Sequence, residues 1–202
     1  MIVVIDYGLG NLSSISNMLN KLGIANKISG DIAEVMSADK LILPGVGAFD
    51  PGMENLRRLG LIEALDKKVK EGTTPLLGIC LGMQLLTERS EEGTLPGLGY
   101  IKGETRRFRP EDPKLKIPHM GWNLVFPAND SPLAKGFGDE MRFYFVHSYF
   151  VRAADRSHAM FESEYGIRFD SGVQSGHIFG VQFHPEKSHK FGMQLFKNFA
   201  EI

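Results

Sequence analysis

Residues 75–84, Pro-Leu-Leu-Gly-Ile-Cys-Leu-Gly-Met-Gln, constrain this chain more than any other stretch. A short apolar run bounded by Pro75 predicts a buried strand, and the Leu, Met, Gln and Glu side chains of residues 81–89 predict a helix directly after it. Cys80, the one cysteine of the chain, therefore falls where a strand becomes a helix. Gly78 and Gly82 flank it at the spacing of a nucleophile elbow, in which small neighbours allow a sharp, strained reversal of the backbone. That geometry lifts the side chain clear of the sheet. The start of the helix then favours a thiolate, and the amide of Leu81 faces any oxyanion formed at the sulfur. Most unpaired cysteines are inert packing; the elbow is what makes Cys80 a candidate nucleophile. The elbow alone names no reaction.

Around this point strands and helices alternate. Residues 2–5 are a continuous β-branched run suited to a strand buried on both faces, and Leu12, Ile15, Leu19 and Leu22 recur at helical spacing within residues 11–22. A short strand at 24–28, a capped turn at Asp31 and an apolar run at 40–43 come next. Helices at 51–58 and 61–71 follow, with Gly60 between them and Gly72 as a stop. The alternation predicts an α/β fold, an open, mostly parallel central sheet flanked by helices, with its ligand site at the carboxyl ends of the strands. Cys80, Gly47 and Gly10 all fall at that edge. From Gly93 onward the pattern changes to short strands and turns, which adds antiparallel strands at 159–163, 167–173 and 178–183. A closing helix at 191–199 carries Phe191, Leu195, Phe196 and Phe199. At 202 residues, 43% hydrophobic, the chain is long enough to bury one substantial core, so 1–202 is read as one domain.

Charge and composition exclude several classes. A formal net charge of −1 gives no electrostatic case for nucleic acid or an anionic membrane. One cysteine precludes an internal disulfide framework and suits a reducing cytoplasm. The apolar start lacks a basic flank, and Asp6 and Gly8 interrupt it too early for a signal peptide or a membrane span. Gly8-Leu9-Gly10 lacks the third glycine of a dinucleotide fingerprint, and no Walker-type lysine follows any glycine loop. No cofactor is expected.

Other stretches leave their meaning open. Pro44-Gly45-Val46-Gly47 is either a close approach to a ligand or a tight turn. Lys102, Arg106, Arg107 and Arg109 read as a solvated basic face in preference to a partner contact. Residues 118–123 are odd for a loop because they hold the only tryptophan, Trp122; they are either a core plug or an exposed anchor for another protein. Residues 141–151, with Phe143-Tyr144-Phe145-Val146-His147-Ser148-Tyr149-Phe150, predict a central strand with His147 and Tyr149 on one side and Ser148 on the other. His147 is equally readable as a core histidine. In 182–186, an extended path through Pro185 returns Glu186 to the side of His184, which suits a base held by an acid. A metal site from His184, Glu186 and His189 is disfavoured because Pro185 forbids the helix such ligation needs.

Taken in order, Pro44-Gly45-Val46-Gly47, Gly78-Ile79-Cys80-Leu81-Gly82-Met83-Gln84 and His184-Pro185-Glu186 resemble the three signatures of class I (triad) glutamine amidotransferases. Asp6-Tyr7-Gly8-Leu9-Gly10-Asn11, His119-Met120-Gly121-Trp122-Asn123, His147-Ser148-Tyr149 and Lys187-Ser188 resemble, within that family, the glutaminase subunits that serve histidine biosynthesis. The resemblance implies a Cys80, His184, Glu186 triad that forms a γ-glutamyl thioester and releases ammonia. It implies an oxyanion site at the Leu81 amide and the Val46/Gly47 peptide, and substrate contacts from Gln84, His147, Ser148 and Tyr149. It also implies a (β/α)8-barrel cyclase as heterodimeric partner, faced by Asn11, Met120, Trp122 and Lys187, to which ammonia passes through a closed route. The competing readings are a paralogous subunit serving another synthase, such as a sugar-modifying one, a free-standing thiol hydrolase, and an interaction subunit with a silent triad.

Overall fold

The computed structural model describes residues 1–138 and 140–202. The first half alternates as β1 (Ile2–Ile5), α1 (Leu12–Lys21), β2 (Asn26–Ser29), α2 (Ile32–Ser37), β3 (Lys40–Gly45), α3 (Phe49–Arg58), α4 (Leu61–Glu71), β4 (Leu76–Cys80) and α5 (Leu81–Leu85). The second half runs β5 (Arg89–Ser90), β6 (Gly103–Arg107), β7 (His119–Pro127), β8 (Met141–His147), β9 (Tyr149–Ala153), β10 (Ala159–Tyr165), β11 (Ile167–Ser175), β12 (Ile178–Val181) and α6 (His189–Glu201).

The sheet order is β2-β1-β3-β4-β12-β11-β10-β7-β8. Pairing is parallel from β2 through β12 and antiparallel beyond it. Within the parallel set β1 and β4 are buried at every position because both their faces are covered, whereas the edge strand β2, Asn-Lys-Ile-Ser, has no buried residue. Ile2 and Val4 pack with Ile15 and Leu19 of α1 and Phe196 and Phe199 of α6. Val3 and Ile5 pack on the other side with Met53, Leu56, Leu61 and Leu65 of α3 and α4. β12 is the turning point: it runs parallel to β4 with Val181 opposite Ile79 and antiparallel to β11 with Val181 opposite Gly172. The next residue on each strand, Gln182 and Cys80, therefore leaves the sheet beside the other.

Several elements differ from the sequence reading. The helix after Cys80 stops at Leu85 rather than 89, since the Thr87 hydroxyl takes the Gln84 carbonyl at 2.7 Å and Arg89 and Ser90 pair with β6. Asp31 opens a helix instead of a bare turn, accepting from the Glu34 amide at 3.0 Å as an N-cap. β2 begins at Asn26 because Ile24 still closes the preceding helix through Leu19 O. Residues 119–123 are a strand, not a loop. The aromatic run is not one central strand: it splits at Ser148 into β9, which lies between β6 and β11, and β8, which is the last strand of the path. Its aromatic density serves one face. Phe143, Phe145 and His147 are buried, whereas Tyr144 and Val146 are only partly so. The basic stretch is a solvated surface on which Arg106 pairs with Glu104 at 2.5 Å and Arg109 with Glu91 at 3.0 Å.

Candidate active site

Cys80 adopts φ +55° and ψ −110°, a region that residues with a Cβ rarely enter and that neighbouring structure must enforce. Both flanking glycines are required by space. A Cβ on Gly78 would stand 2.7 Å from Gly82 O, and one on Gly82 would overlap Leu43 O of β3. The reversal is thus packed tightly on itself and against β3, and its Cys80 lines a cavity of about 290 Å³.

The cavity is lined by Val46, Gly47, Cys80, Leu81, Gln84, His147, Ser148, Tyr149 and His184, all singled out from the sequence, and by Glu92, Pro118 and Val146, which were not. The break between β8 and β9 lets His147, Ser148 and Tyr149 all line it, where strict alternation would have turned Ser148 away. Glu92 is the one carboxylate in the lining. It accepts from the Phe49 amide at 3.0 Å, and burial raises its carboxyl above the usual range. A glutamate in a run of two, ahead of a glycine, gives no sequence signal of this placement. Gly47 has φ +111° with open space where a Cβ would sit, so the glycine there is required by backbone conformation and not by crowding.

His184 follows β12 and is buried. Its Nδ1 lies 2.8 Å from Glu186 Oε1. The extended path expected through Pro185 is instead a 3-10 turn, Pro185–Lys187, held by Ser188 Oγ donating to His184 O at 2.6 Å and accepting from the Tyr144 amide at 3.0 Å. The turn brings the carboxylate back under the ring. His184 Nε2 has no hydrogen-bond partner among the described groups. Burial alone would depress the imidazole, but the Cys80 sulfur and the Glu186 carboxylate beside it outweigh burial and push it up to about 10. The ring is therefore held as an imidazolium beside the Glu186 carboxylate.

A buried hydrogen-bond chain backs the opposite wall. His119 and His147 stand opposite each other across β7 and β8, with Nδ1 of the first 2.9 Å from Nε2 of the second. His147 Nδ1 meets the Tyr149 carbonyl at 2.7 Å and so must carry its proton. His147 Nε2 is then an acceptor, His119 Nδ1 a donor, and His119 Nε2 an acceptor for Asn123 Nδ2 at 3.2 Å. Burial lowers His147 to about 3 and His119 to about 4, so both rings are neutral at pH 7.

The four residues expected to face a partner stand outside this cavity. Met120 and Trp122 are exposed on the outer side of β7, at 62% and 46%. Trp122 stacks on His189 with ring centroids 5.6 Å apart and meets the edge of Tyr144, and the Lys187 ammonium lies 5.9 Å from the centroid of that same ring. Asn11 precedes α1, which packs against the 185–187 turn. No helix among the described residues is long and apolar enough to cross a membrane.

The family model "Glutamine amidotransferase class-I" matches residues 3–202. The chain is 50% identical over 202 residues to "Imidazole glycerol phosphate synthase subunit HisH 2" of Pseudomonas aeruginosa, covering all of both chains. It is 54% identical over 201 residues to the protein of that name from Methanococcus maripaludis, covering 100% of this chain and 99% of the other. Among solved structures, PurLQS of Thermotoga maritima superposes with a TM-score of 0.76 at 20% identity, over 99% of this chain and 97% of that one, a likeness of fold. The chain belongs to the class-I glutamine amidotransferase family and, within it, to the imidazole glycerol phosphate synthase HisH subunits.

Proposed function

We propose that this chain, as one amidotransferase domain, is the glutaminase subunit of a cytoplasmic imidazole glycerol phosphate synthase. It hydrolyses glutamine and passes the ammonia to a (β/α)8-barrel cyclase that forms imidazole glycerol phosphate and the purine-pathway carboxamide ribotide. The observation that carries the reading is the His184–Glu186 bond of 2.8 Å in a ring that shares its cavity with the elbow sulfur of Cys80.

The reaction follows from the groups in place. The Cys80 thiolate attacks the side-chain amide carbon of glutamine, and the resulting oxyanion is met by the Leu81 amide and the Val46/Gly47 peptide. His184 gives its proton to the departing nitrogen, ammonia leaves, and a γ-glutamyl thioester remains. His184, now neutral, takes a proton from water as that water attacks the thioester; glutamate departs and the thiolate returns. Glu186 keeps the ring oriented throughout. Glu92 is placed to pair with the α-ammonium of glutamine, while Gln84, His147, Ser148 and Tyr149 shape the wall the substrate lies against.

Ammonia released into neutral water is protonated and loses its nucleophilicity, so a closed route to the acceptor is needed. The exposed Met120 and Trp122, with Lys187 and Asn11 near them, form the docking face for the cyclase. Glutamate release, measured for the chain alone and with the cyclase and its nucleotide ligand, tests the assignment. Stimulation by the complex and its loss in Cys80→Ala are expected; equal turnover with and without the cyclase rejects the coupling.

A further inference from the structure

Gln182 is a fully buried amide between the sulfur and the wall of the cavity. Its Nε2 lies 3.7 Å from Cys80 Sγ, and its Oε1 lies 3.1 Å from Gln84 Nε2. An amide can face either way, but here its orientation is forced. The Tyr149 carbonyl can only accept, and it lies 3.2 Å from the Gln84 side chain; the Gln84 atom there is therefore nitrogen, because two oxygens would repel. That same nitrogen is the one facing Gln182, so the Gln182 atom opposite it is oxygen. The remaining end of Gln182, the end at the sulfur, must be the N–H.

Two consequences follow for the sulfur. Gln182 cannot accept the thiol proton, because its oxygen is turned towards Gln84. The ring placed to take the proton is that of His184, whose pKa the sulfur raises and whose Nε2 has no hydrogen-bond partner among the described groups. Once the proton has moved, the sulfur carries a full charge in a buried site, and the Gln182 N–H donates to it from a second direction, the stronger bond being the one to the anion.

We propose that Gln182 is a catalytic residue of this chain, donating a hydrogen bond that holds the Cys80 sulfur as a thiolate, with Gln84 and the Tyr149 carbonyl as the positioning groups that aim its amide. The role rests on the glutaminase reading of Cys80. Its strength is that of one hydrogen bond to a charged partner, which corresponds to about a tenfold change in the thiolate equilibrium.

Cys80 is the sole cysteine, so alkylation by iodoacetamide, followed by mass, reports on this sulfur alone. In Gln182→Met the alkylation rate at pH 6.5 is expected to fall about tenfold and the midpoint of its pH profile to rise by about one unit, with kcat reduced and KM little changed. Gln182→Glu, which keeps the shape but sets an oxygen against the sulfur, is expected to raise the midpoint further, and it carries the test should the methionine variant fail to fold. A profile that superposes on that of the unaltered chain, in a variant that melts cooperatively, overturns the proposal. Labelling of Cys80 by a diazoketone analogue of glutamine separates the two levels. If the analogue labels the unaltered chain and the profile still does not move, the role of Gln182 falls and the glutaminase reading stands. If the analogue fails to label the unaltered chain in complex with the cyclase, both fall.

Discussion

His184 Nδ1 and Glu186 Oε1 meet at 2.8 Å across a 3-10 turn that begins at Pro185, and both side chains are almost wholly shielded from solvent. The carboxylate accepts the Nδ1 proton and leaves Nε2 to face the cavity. Glu186→Gln keeps the shape and removes the charge that supports an imidazolium. The expected outcome is a loss of about a hundred- to a thousandfold in kcat with KM changed less than threefold, by analogy with neutralising the orienting acid of a hydrolytic triad. Steady-state glutaminase kinetics of the complex check it; a variant within threefold of full activity would show that the acid does not support the base.

Strain at the elbow predicts an inverted order of stability. Alanine normally stabilises a chain relative to glycine, but at φ +55° a Cβ is held in a sparsely allowed region that costs on the order of 1–3 kcal/mol. Cys80→Gly should therefore be more stable than Cys80→Ala by about 1 kcal/mol, or about 2–4 °C in melting temperature for a domain of this size, with neither variant turning over glutamine. Thermal melts of the pair decide it, and an alanine variant that melts at or above the glycine variant removes the strain argument.

The buried histidine pair sets a pH dependence of stability. His147 and His119 are held down to about 3 and about 4 by burial, while in the unfolded chain each titrates near its ordinary value of about 6.5. The unfolded chain then binds more protons, so the contribution of the pair is fully present above about 6.5 and is lost as the pH falls towards the folded values. Each ring contributes a slope of at most about 1.4 kcal/mol per pH unit. His119→Gln, which can still donate to His147 and accept from Asn123, should roughly halve the pair's contribution between pH 6 and 5. Urea unfolding at those two pH values measures this, and an undiminished slope would place the titration elsewhere.

The parallel half of the fold was legible because its local and tertiary requirements coincide: residues 2–5 are apolar throughout since β1 is covered on both faces, and Gly78 and Gly82 are small because Gly82 O and Leu43 O leave no room. The antiparallel half was less so. Residues 119–123 read as a loop because exposed Met120 and Trp122 interrupt the polar face a half-buried strand normally shows. The run 141–151 read as central because aromatic density marks packing without saying whether one face or two is packed. The neighbouring of His184 and Glu186 was anticipated from an extended chain, whereas a turn achieves it; residues two apart can meet by either path. Alternation set Gln182 on the side of His184 but gave it no role, and Glu92 carried no mark at all. Their places depend on β12 lying beside β4 and on the loop after β5 folding over α3, and such long-range register leaves no local pattern.

The exposed aromatic face yields the last prediction. Trp122 is 46% exposed yet held, stacked on His189 and edge-on to Tyr144, so its ring is preorganised and little rotamer freedom remains to be lost on docking. A large aromatic anchor of this kind is what dominates an interface. Trp122→Ala is expected to weaken association with the cyclase by about 2 kcal/mol or more, on the order of thirtyfold in Kd, and to lower nucleotide-stimulated glutaminase at limiting cyclase, while leaving the melting temperature of the isolated chain nearly unchanged because the ring is not part of the core. Titration calorimetry of the two subunits measures the first effect and a thermal melt the second. An unchanged Kd would move the docking face away from β7; a melting temperature several degrees lower would make Trp122 a structural residue of the β7–β8 hairpin rather than an anchor.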